Sequence, residues 1–431
     1  LIIFTFGFKA KDMDLSAPVT ANVSSEIGEL EAVLIHSMGS EVENMTPKNA
    51  ERALYSDILS LSVTQREYYQ FREVLNKVAR VFEVKDLMQE VLLNDRAKEE
   101  LIAAICSEVK DPGIRPYLFS LPLDELARQL IEGVEMKRDS LSRFLSNERY
   151  SLKPLHNFFF TRDASVSVNQ EVFIAKMASK VREREALIMS AIFNHHPLLK
   201  SPTQNLEENI YKCHKLTLEG GDVLVGREDL LLIGIGSRTT PAGIDAVIEK
   251  LKARNSRQHI IVHELPLEGE SFIHLDMVFT FLNTHECMVY EPVVLQPNRF
   301  QTMHIEVDNE SVKISEERNI LEALNKLGVD VEPIYCGGKA DQWTQEREQW
   351  HSGANFFALA PGKVIGYNRN EYTIEELNRH GYEIVKADEI IDGKASLADY
   401  RKCVVTIEGS ELSRGGGGAR CMTMPLRRKS V

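Results

Sequence analysis

Residues 216–236, LTLEGGDVLVGREDLLLIGIG, read as a strand, a tight turn and a second strand, and AGIDAVIEKLKA at 242–253 follows with apolar residues at helical spacing. The same phrase recurs. FFFTRDASVSVNQEVFIAK (158–176), FIHLDMVFTFLNTHECMVY (272–290) and ANFFALAPGKVIGYNRN (354–370) are strand pairs, followed by helical EREALIMSAIF (183–193), SEERNILEALNKL (315–327) and TIEELNRHG (373–381). A fifth unit combines CVVTIEGSEL (403–412) and the glycine run near the C-terminus with the strand in ELEAVLIHSM (29–38). Asp163, Glu219, His274, Asn355 and Cys421 mark the five units at intervals of 56, 55, 81 and 66 residues. Such spacing predicts an α/β chain made by radial repetition of a β-β-α-β unit.

One stretch breaks the pattern. AERALYSDIL (50–59), QREYYQFREVLNKVARVF (65–82), DRAKEELIAAICSEV (95–109), LDELARQLIEGVEM (123–136) and RDSLSRFL (138–145) carry apolar residues at helical spacing opposite charged faces. They predict packed helices inserted into the repeat. The expected division is a tail over 1–25, an α/β body from 26–65 and 150–431, and a helical insert over 66–149.

At 431 residues the chain exceeds what one simple core accommodates. Its 43% hydrophobic and 27% charged residues are those of an ordinary soluble protein. A net charge of −13 argues against nucleic acid or an anionic membrane as partner and suits a cationic small molecule. Six cysteines without a CxxC pair point to a reducing cytoplasm. The opening LIIFTFGFKAK lacks a basic leader and is too short to span a bilayer, and no membrane segment is expected.

Polar groups interrupt apolar strands at a few places. His274 and Asp276 are two apart, so a strand would present both on one face while Ile273, Leu275 and Met277 take the other. Glu219 and Asp222 flank two glycines, and Asn157, Arg162 and Asp163 border a strongly apolar run. Cys421 follows a glycine run and Arg420. Charges at apolar strand ends are expensive without partners, which predicts a buried polar pocket. Several carboxylates, a His and a Cys together suit attack on a planar cation: carboxylates grip guanidinium N–H groups, a thiolate adds to the central carbon, and the imidazole moves protons. A zinc site is the rival use of these groups. The close ligand spacing of zinc motifs is missing, and the adjacent pairs Cys213–His214 and His195–His196 have no matching partner pair.

The set NFFFTRD (157–163), LEGGD (218–222), HLDMVF (274–279), REQWHSGANFFALAPG (347–362) and GGGGARCMTMPL (415–426) strongly resembles the arginine deiminase family of the guanidino-group-modifying superfamily, in order from about residue 25 onward. The resemblance implies a five-bladed α/β propeller, the pentein fold, with an inserted α-helical domain. It implies hydrolysis of L-arginine to L-citrulline and ammonia through a covalent S-alkylthiouronium, with neither metal nor organic cofactor, in a cytoplasmic homodimer or larger homo-oligomer. By motif, Cys421 is the expected nucleophile and His274 the acid and base. Asp163 and Asp276 grip the guanidinium, and Glu219 bonds it and orients His274. Arg182 and Arg238, with Asn157, are expected on the substrate carboxylate, Asp222 at its amino end, and Phe160 in the same pocket. Many relatives have arginine where this chain has Gly416, which leaves Arg420 as the expected closing side chain and Arg414 as the next candidate. Agmatine, which lacks the carboxylate that Arg182 and Arg238 would bind, is the alternative substrate, and an arginine-binding protein without catalysis is the alternative of another class.

Overall fold

Hairpin, helix and returning parallel strand repeat along the computed structural model, which describes residues 17–47, 57–107, 109, 111–206, 215–254, 256–339 and 341–431. Ser165–Val168 and Glu171–Ile174 pair antiparallel, helix Glu183–His195 follows, and Thr203–Asn205 returns parallel to the second strand. Val223–Arg227 and Leu230–Ile235, with helix Pro241–Lys252 and strand Gln258–Glu264, repeat this order. So do Phe279–Asn283, Glu286–Val289, helix Ile320–Lys326 and Glu332–Tyr335. The next unit is Phe357–Ala360 and Lys363–Tyr367, with Cys403–Ile407 parallel beside them and Glu383–Lys386 at the edge. The remaining large sheet joins distant parts of the chain. Leu30–Ile35 lies between Arg80–Glu83, parallel, and Met424–Arg428, antiparallel.

Local sequence fixes several helix starts. Thr240 accepts from the Gly243 N–H with Pro241 in the first turn, and Asn94 and Asn319 cap their helices in the same way. Helices Val84–Val91, Asp95–Cys106, Ile114–Ser120 and Leu123–Glu132 share one apolar core with Glu183–His195, through Leu101, Leu118, Leu130, Ile188 and Phe193. None of the described helices is long and apolar enough to cross a membrane.

The structure also departs from expectation. LIIFTFGFKAK, most of AERALYSDIL and the Cys213–His214 pair lie outside the described residues. Helix Leu61–Val78 runs through position 65/66, and Arg80–Val81–Phe82 forms a strand rather than more helix. Arg80 there donates to the Ala17 carbonyl and stacks over Phe82, so a cation tolerates burial in a sheet. A further hairpin, Thr302–Asp308 with Ser311–Glu317, extends the second of these sheets, and SEER therefore ends a strand before the Asn319 cap. Leu275–Met277 is a 3₁₀ turn, and the strand begins only at Phe279.

Candidate active site

The loops at the ends of the hairpins converge on one sealed cluster. Cys421 is 3% exposed, and Asp163, Glu219, His274 and Asp276 are each 2% or less. His274 lies between two carboxylates, Nε2 at 3.0 Å from Glu219 Oε2 and Nδ1 at 3.6 Å from Asp163 Oδ1. Among the described residues, neither Asp163 Oδ1 nor His274 Nδ1 has a hydrogen-bond partner. The Cys421 thiol is 3.8 Å from Asp276 Oδ2. The approach of these groups requires a bare backbone at Gly221, where a Cβ would fall 2.5 Å from His274 Nδ1 and 2.9 Å from Asp163 Oδ1. At Gly417 a Cβ would meet the Phe160 ring at 2.5 Å and the Cys421 Cβ at 3.1 Å, which puts Phe160 beside the thiol.

Each of the three carboxylates is backed by an arginine. Arg182 Nη1 reaches Asp163 at 2.6 Å, Arg420 Nη1 reaches Asp276 at 2.8 Å, and Arg238 Nη1 stands 4.0 Å from Glu219. Two of them are spoken for on their far sides as well. Arg182 forks onto Glu185 at 2.8–3.1 Å and donates to the Asn157 and Phe160 carbonyls. Arg420 forks onto Glu26 at 3.0 and 3.1 Å and donates to the Val223 carbonyl. The expectation that Arg420 closes over a ligand does not match this placement. It is buried behind Asp276 because two carboxylates in a low-dielectric place need a fixed cation. Arg182, expected on a substrate carboxylate, is likewise occupied, and Arg238 is the looser of the pair. Asp222, expected at a ligand's amino end, instead accepts from the Leu275 N–H at 2.9 Å and so fixes the turn that carries His274. Arg414 bonds Asp57 and Glu411 at the surface. Beside it, Gly416 lines a cavity of about 180 Å³ with Met277, Trp350 and His351.

The charges settle one another. Burial alone would lower the His274 pKa, but Asp163 and Glu219 outweigh it, with help from Asp222, and raise it to about 9. Burial opposes the Glu219 charge, yet the His274 hydrogen bond, Arg238 and Arg182 bring that carboxyl down to about 2. Burial pushes Asp222 up to about 7. For Cys421, burial first and then Asp276 and Asp163 drive the thiol well above its ordinary range, against the opposing pull of Arg420. Both shifts favour a thiol beside an imidazolium before substrate arrives.

Asp163, Glu219 and His274 offer ligand atoms within 4.8 Å of one another, the group among the described residues that could hold a metal ion. A metal needs a neutral imidazole. Here the neighbouring carboxylates raise the ring's pKa and each of the two has an arginine beside it, an arrangement that suits a flat organic cation with N–H groups on several edges.

Two residues in this assembly were not picked from the sequence. Asn355 Oδ1 accepts from the N–H groups of Arg420 and Cys421 at 2.9 and 3.2 Å, and its Nδ2 donates to the Asp276 carbonyl at 3.0 Å. It ties the nucleophile turn to the Asp276 turn. Glu26, held to about 2 by Arg420 and Arg162 against its burial, is the other. The available signal was weak for both: a polar side chain beside apolar FFALA, and an acid just before the first strand.

Residues 51–428 match the model of the family described as arginine deiminase. An arginine deiminase of Bacillus cereus is 32% identical over 430 residues, spanning 95% of this chain and 99% of that protein. One from Listeria monocytogenes is 32% identical over 428 residues, spanning 95% and 98%. Among solved structures, the product-bound N-terminal domain of ArgZ, an arginine dihydrolase from cyanobacteria, superposes with a TM-score of 0.52 at 13% identity over 93% of this chain and 98% of that one. SxtG, an amidinotransferase from Microseira wollei, gives 0.52 at 13% identity over 95% and 98%. These likenesses establish a common mixed α/β fold.

Proposed function

The chain belongs to the arginine deiminase family, and from that membership and the site geometry we propose that it hydrolyses L-arginine to L-citrulline and ammonia through a covalent intermediate on Cys421. The observation that carries the reading is the sealed set of Cys421, Asp276, Asp163, Glu219 and His274, with the ring between two carboxylates. The guanidinium lies between Asp163 and Asp276, and its positive charge offsets the two carboxylates that hold the thiol protonated. The Cys421 proton passes to solvent as the cationic substrate enters, and the thiolate adds to the guanidinium carbon. His274 gives its proton to the departing nitrogen, so ammonia leaves and a cationic S-alkylthiouronium remains. The now neutral His274 takes a proton from water as its oxygen adds to the same carbon. The C–S bond breaks with its electron pair on sulfur, the hydroxyl proton passes to that thiolate, and citrulline is released.

Arg238 and Asn157 are carried over from the family resemblance as the groups that receive the α-carboxylate, and for Arg238 the loose 4.0 Å approach to Glu219 supports this. A second reading, a deiminase of an arginine relative such as agmatine, draws on the commitment of Arg182 to Asp163 and Glu185, which leaves discrimination against a substrate without a carboxylate largely to Arg238. Among the described residues, five sheets of three to five strands, beside one two-stranded ribbon, support a five-bladed α/β propeller. The run of helices between strands Arg80–Glu83 and Tyr150–Leu152 supports an inserted helical segment, which packs on one core with helix Glu183–His195 of the α/β body. A cytoplasmic setting is supported by the free thiols of all five described cysteines, and homo-oligomerisation is carried over from the family resemblance.

The test is a colour assay for citrulline with arginine and agmatine in parallel. Arginine turnover that disappears in Cys421→Ser, with an adduct of substrate minus ammonia on quenched wild-type protein, is the expected result. Citrulline formation by Cys421→Ser at a rate near wild type would overturn the mechanism.

A further inference from the structure

Arg162 is a buried cation that the chemistry proposed above does not use. It is 2% exposed, and among the described residues no carboxylate takes its guanidinium in a hydrogen bond. Burial and the like charges of Arg420 and Arg428 act against its cation, while Glu26 and Asp276 favour it through their charge alone. A buried charge without a bonded counterion is expensive to keep, so its stabilising value alone does not account for it.

The side chain faces the nucleophile turn instead. Its Nε donates to the Arg420 carbonyl at 3.3 Å and its Nη2 to the Thr423 hydroxyl at 3.4 Å. The Arg162 backbone N–H donates to the Cys421 carbonyl at 3.1 Å. Asn355 takes the N–H groups of the same two residues, 420 and 421. The nucleophile turn is therefore gripped on its N–H side by Asn355 and on its carbonyl side by Arg162. The two side-chain bonds are long, so it is their joint geometry rather than the strength of either that restrains the turn.

The grip on the carbonyl side also reaches the substrate carboxylates. Arg162 belongs to the single helical turn Thr161–Ala164, next to Asp163, whose carboxylate is fixed independently by Arg182 at 2.6 Å. At Gly220 the Arg162 carbonyl lies against the bare backbone where a Cβ would stand, which seats this turn on the loop that carries Glu219.

We propose that Arg162 is a positioning residue that holds the Cys421 sulfur in attacking register with a guanidinium gripped by Asp163. The inference rests on the attack by Cys421 proposed above. Such attack needs sulfur and carbon about 3–3.5 Å apart and aligned, so a loosened turn slows the first covalent step and leaves binding intact. Lysine at this position keeps the charge and an unbranched stem, but offers its donors from one point rather than across a rigid fork.

Rapid-quench mass spectrometry with L-arginine measures how fast the adduct of substrate minus ammonia forms on wild type, Arg162→Lys and Arg162→Met. Calorimetric titration of arginine into Cys421→Ser, with and without Arg162→Lys, measures binding where no attack occurs. Arg162→Lys is expected to slow adduct formation about ten- to a hundredfold and to leave arginine binding unchanged. Arg162→Met should be slower still, and Arg162→Lys carries the test if the methionine variant does not fold. Adduct formation at the wild-type rate in Arg162→Lys overturns the inference. So does arginine binding that falls by the same factor as the rate, which makes Arg162 a support for the whole site. Absence of any adduct on wild-type protein strikes the Cys421 mechanism itself and this inference with it, whereas a normal adduct rate in the variants strikes only the role of Arg162.

Discussion

Replacing Arg420 with methionine removes the guanidinium that stands between Glu26 and Asp276, and its contacts set the cost. Arg420 forks onto Glu26 at 3.0 and 3.1 Å and meets Asp276 at 2.8 Å, with all three residues buried. Removing one side of a buried pair costs about 3–5 kcal/mol, because the partner stays charged with nothing to offset it. Methionine keeps an unbranched apolar stem, so lost packing contributes little. A loss of this size lowers Tm by on the order of 5 °C in a chain of this length. Adding Glu26→Gln removes one stranded charge and should return part of the stability, a coupling that a double-mutant cycle measures. Urea unfolding followed by circular dichroism, with citrulline formation measured on the same samples, tests the argument. A mobile arm that closes over substrate gives the opposite pattern. Lost turnover at unchanged stability in Arg420→Met would refute the reasoning and restore Arg420 as a ligand-binding residue.

The His274 pKa, raised from 6.5 to about 9, makes stability depend on pH. The contribution, about 3 kcal/mol, is fully present below pH 6.5 and is lost as pH rises through 9. Urea unfolding across this window should show the decline in wild type and a flatter profile in His274→Gln; equal profiles would sink the charge assignment. Arg238→Met should lower kcat/KM for arginine about ten- to a hundredfold and spare agmatine, whereas Arg182→Met should harm both substrates and lower Tm. Equal effects on the two substrates in Arg238→Met would remove the carboxylate contact. Asn355→Ala strands two buried N–H groups at about 1–3 kcal/mol each, and should slow turnover while iodoacetamide reaches Cys421 faster. Unchanged alkylation would mean that Asn355 does not hold the nucleophile turn.

What the sequence disclosed, it disclosed through short-range pattern. The Val223–Arg227 and Leu230–Ile235 pair and its helix follow from apolar runs, two glycines and the Thr240–Pro241 start. The 274–278 stretch did not. Alternating His and Asp fit a strand, but Asp222 captures the Leu275 N–H and winds the chain into a 3₁₀ turn, a contact between residues 53 apart. Arg420 was misread for the same physical reason. Its partners, Glu26 and Asp276, lie 394 and 144 residues away, and adjacency to Cys421 carried no information about which way the side chain turns. Asn355 was visible only as a marker of spacing, because its role rests on three bonds to two other loops.

Strand Leu30–Ile35 with Met424–Arg428 is among the longest-range pairings in the molecule, and the nucleophile sits three residues before the second of those strands. Ring closure between such distant segments carries an entropic cost that local structure does not, and contacts of this kind form late. The hydrogen bonds within the inserted helices are local and can form first, although their apolar core is completed only with helix Glu183–His195. During refolding from urea, recovery of helix should therefore run ahead of recovery of catalysis. A chain paused between the two would keep its carboxylates near one another with no thiol beside them, an inert scaffold waiting for its reactive sulfur.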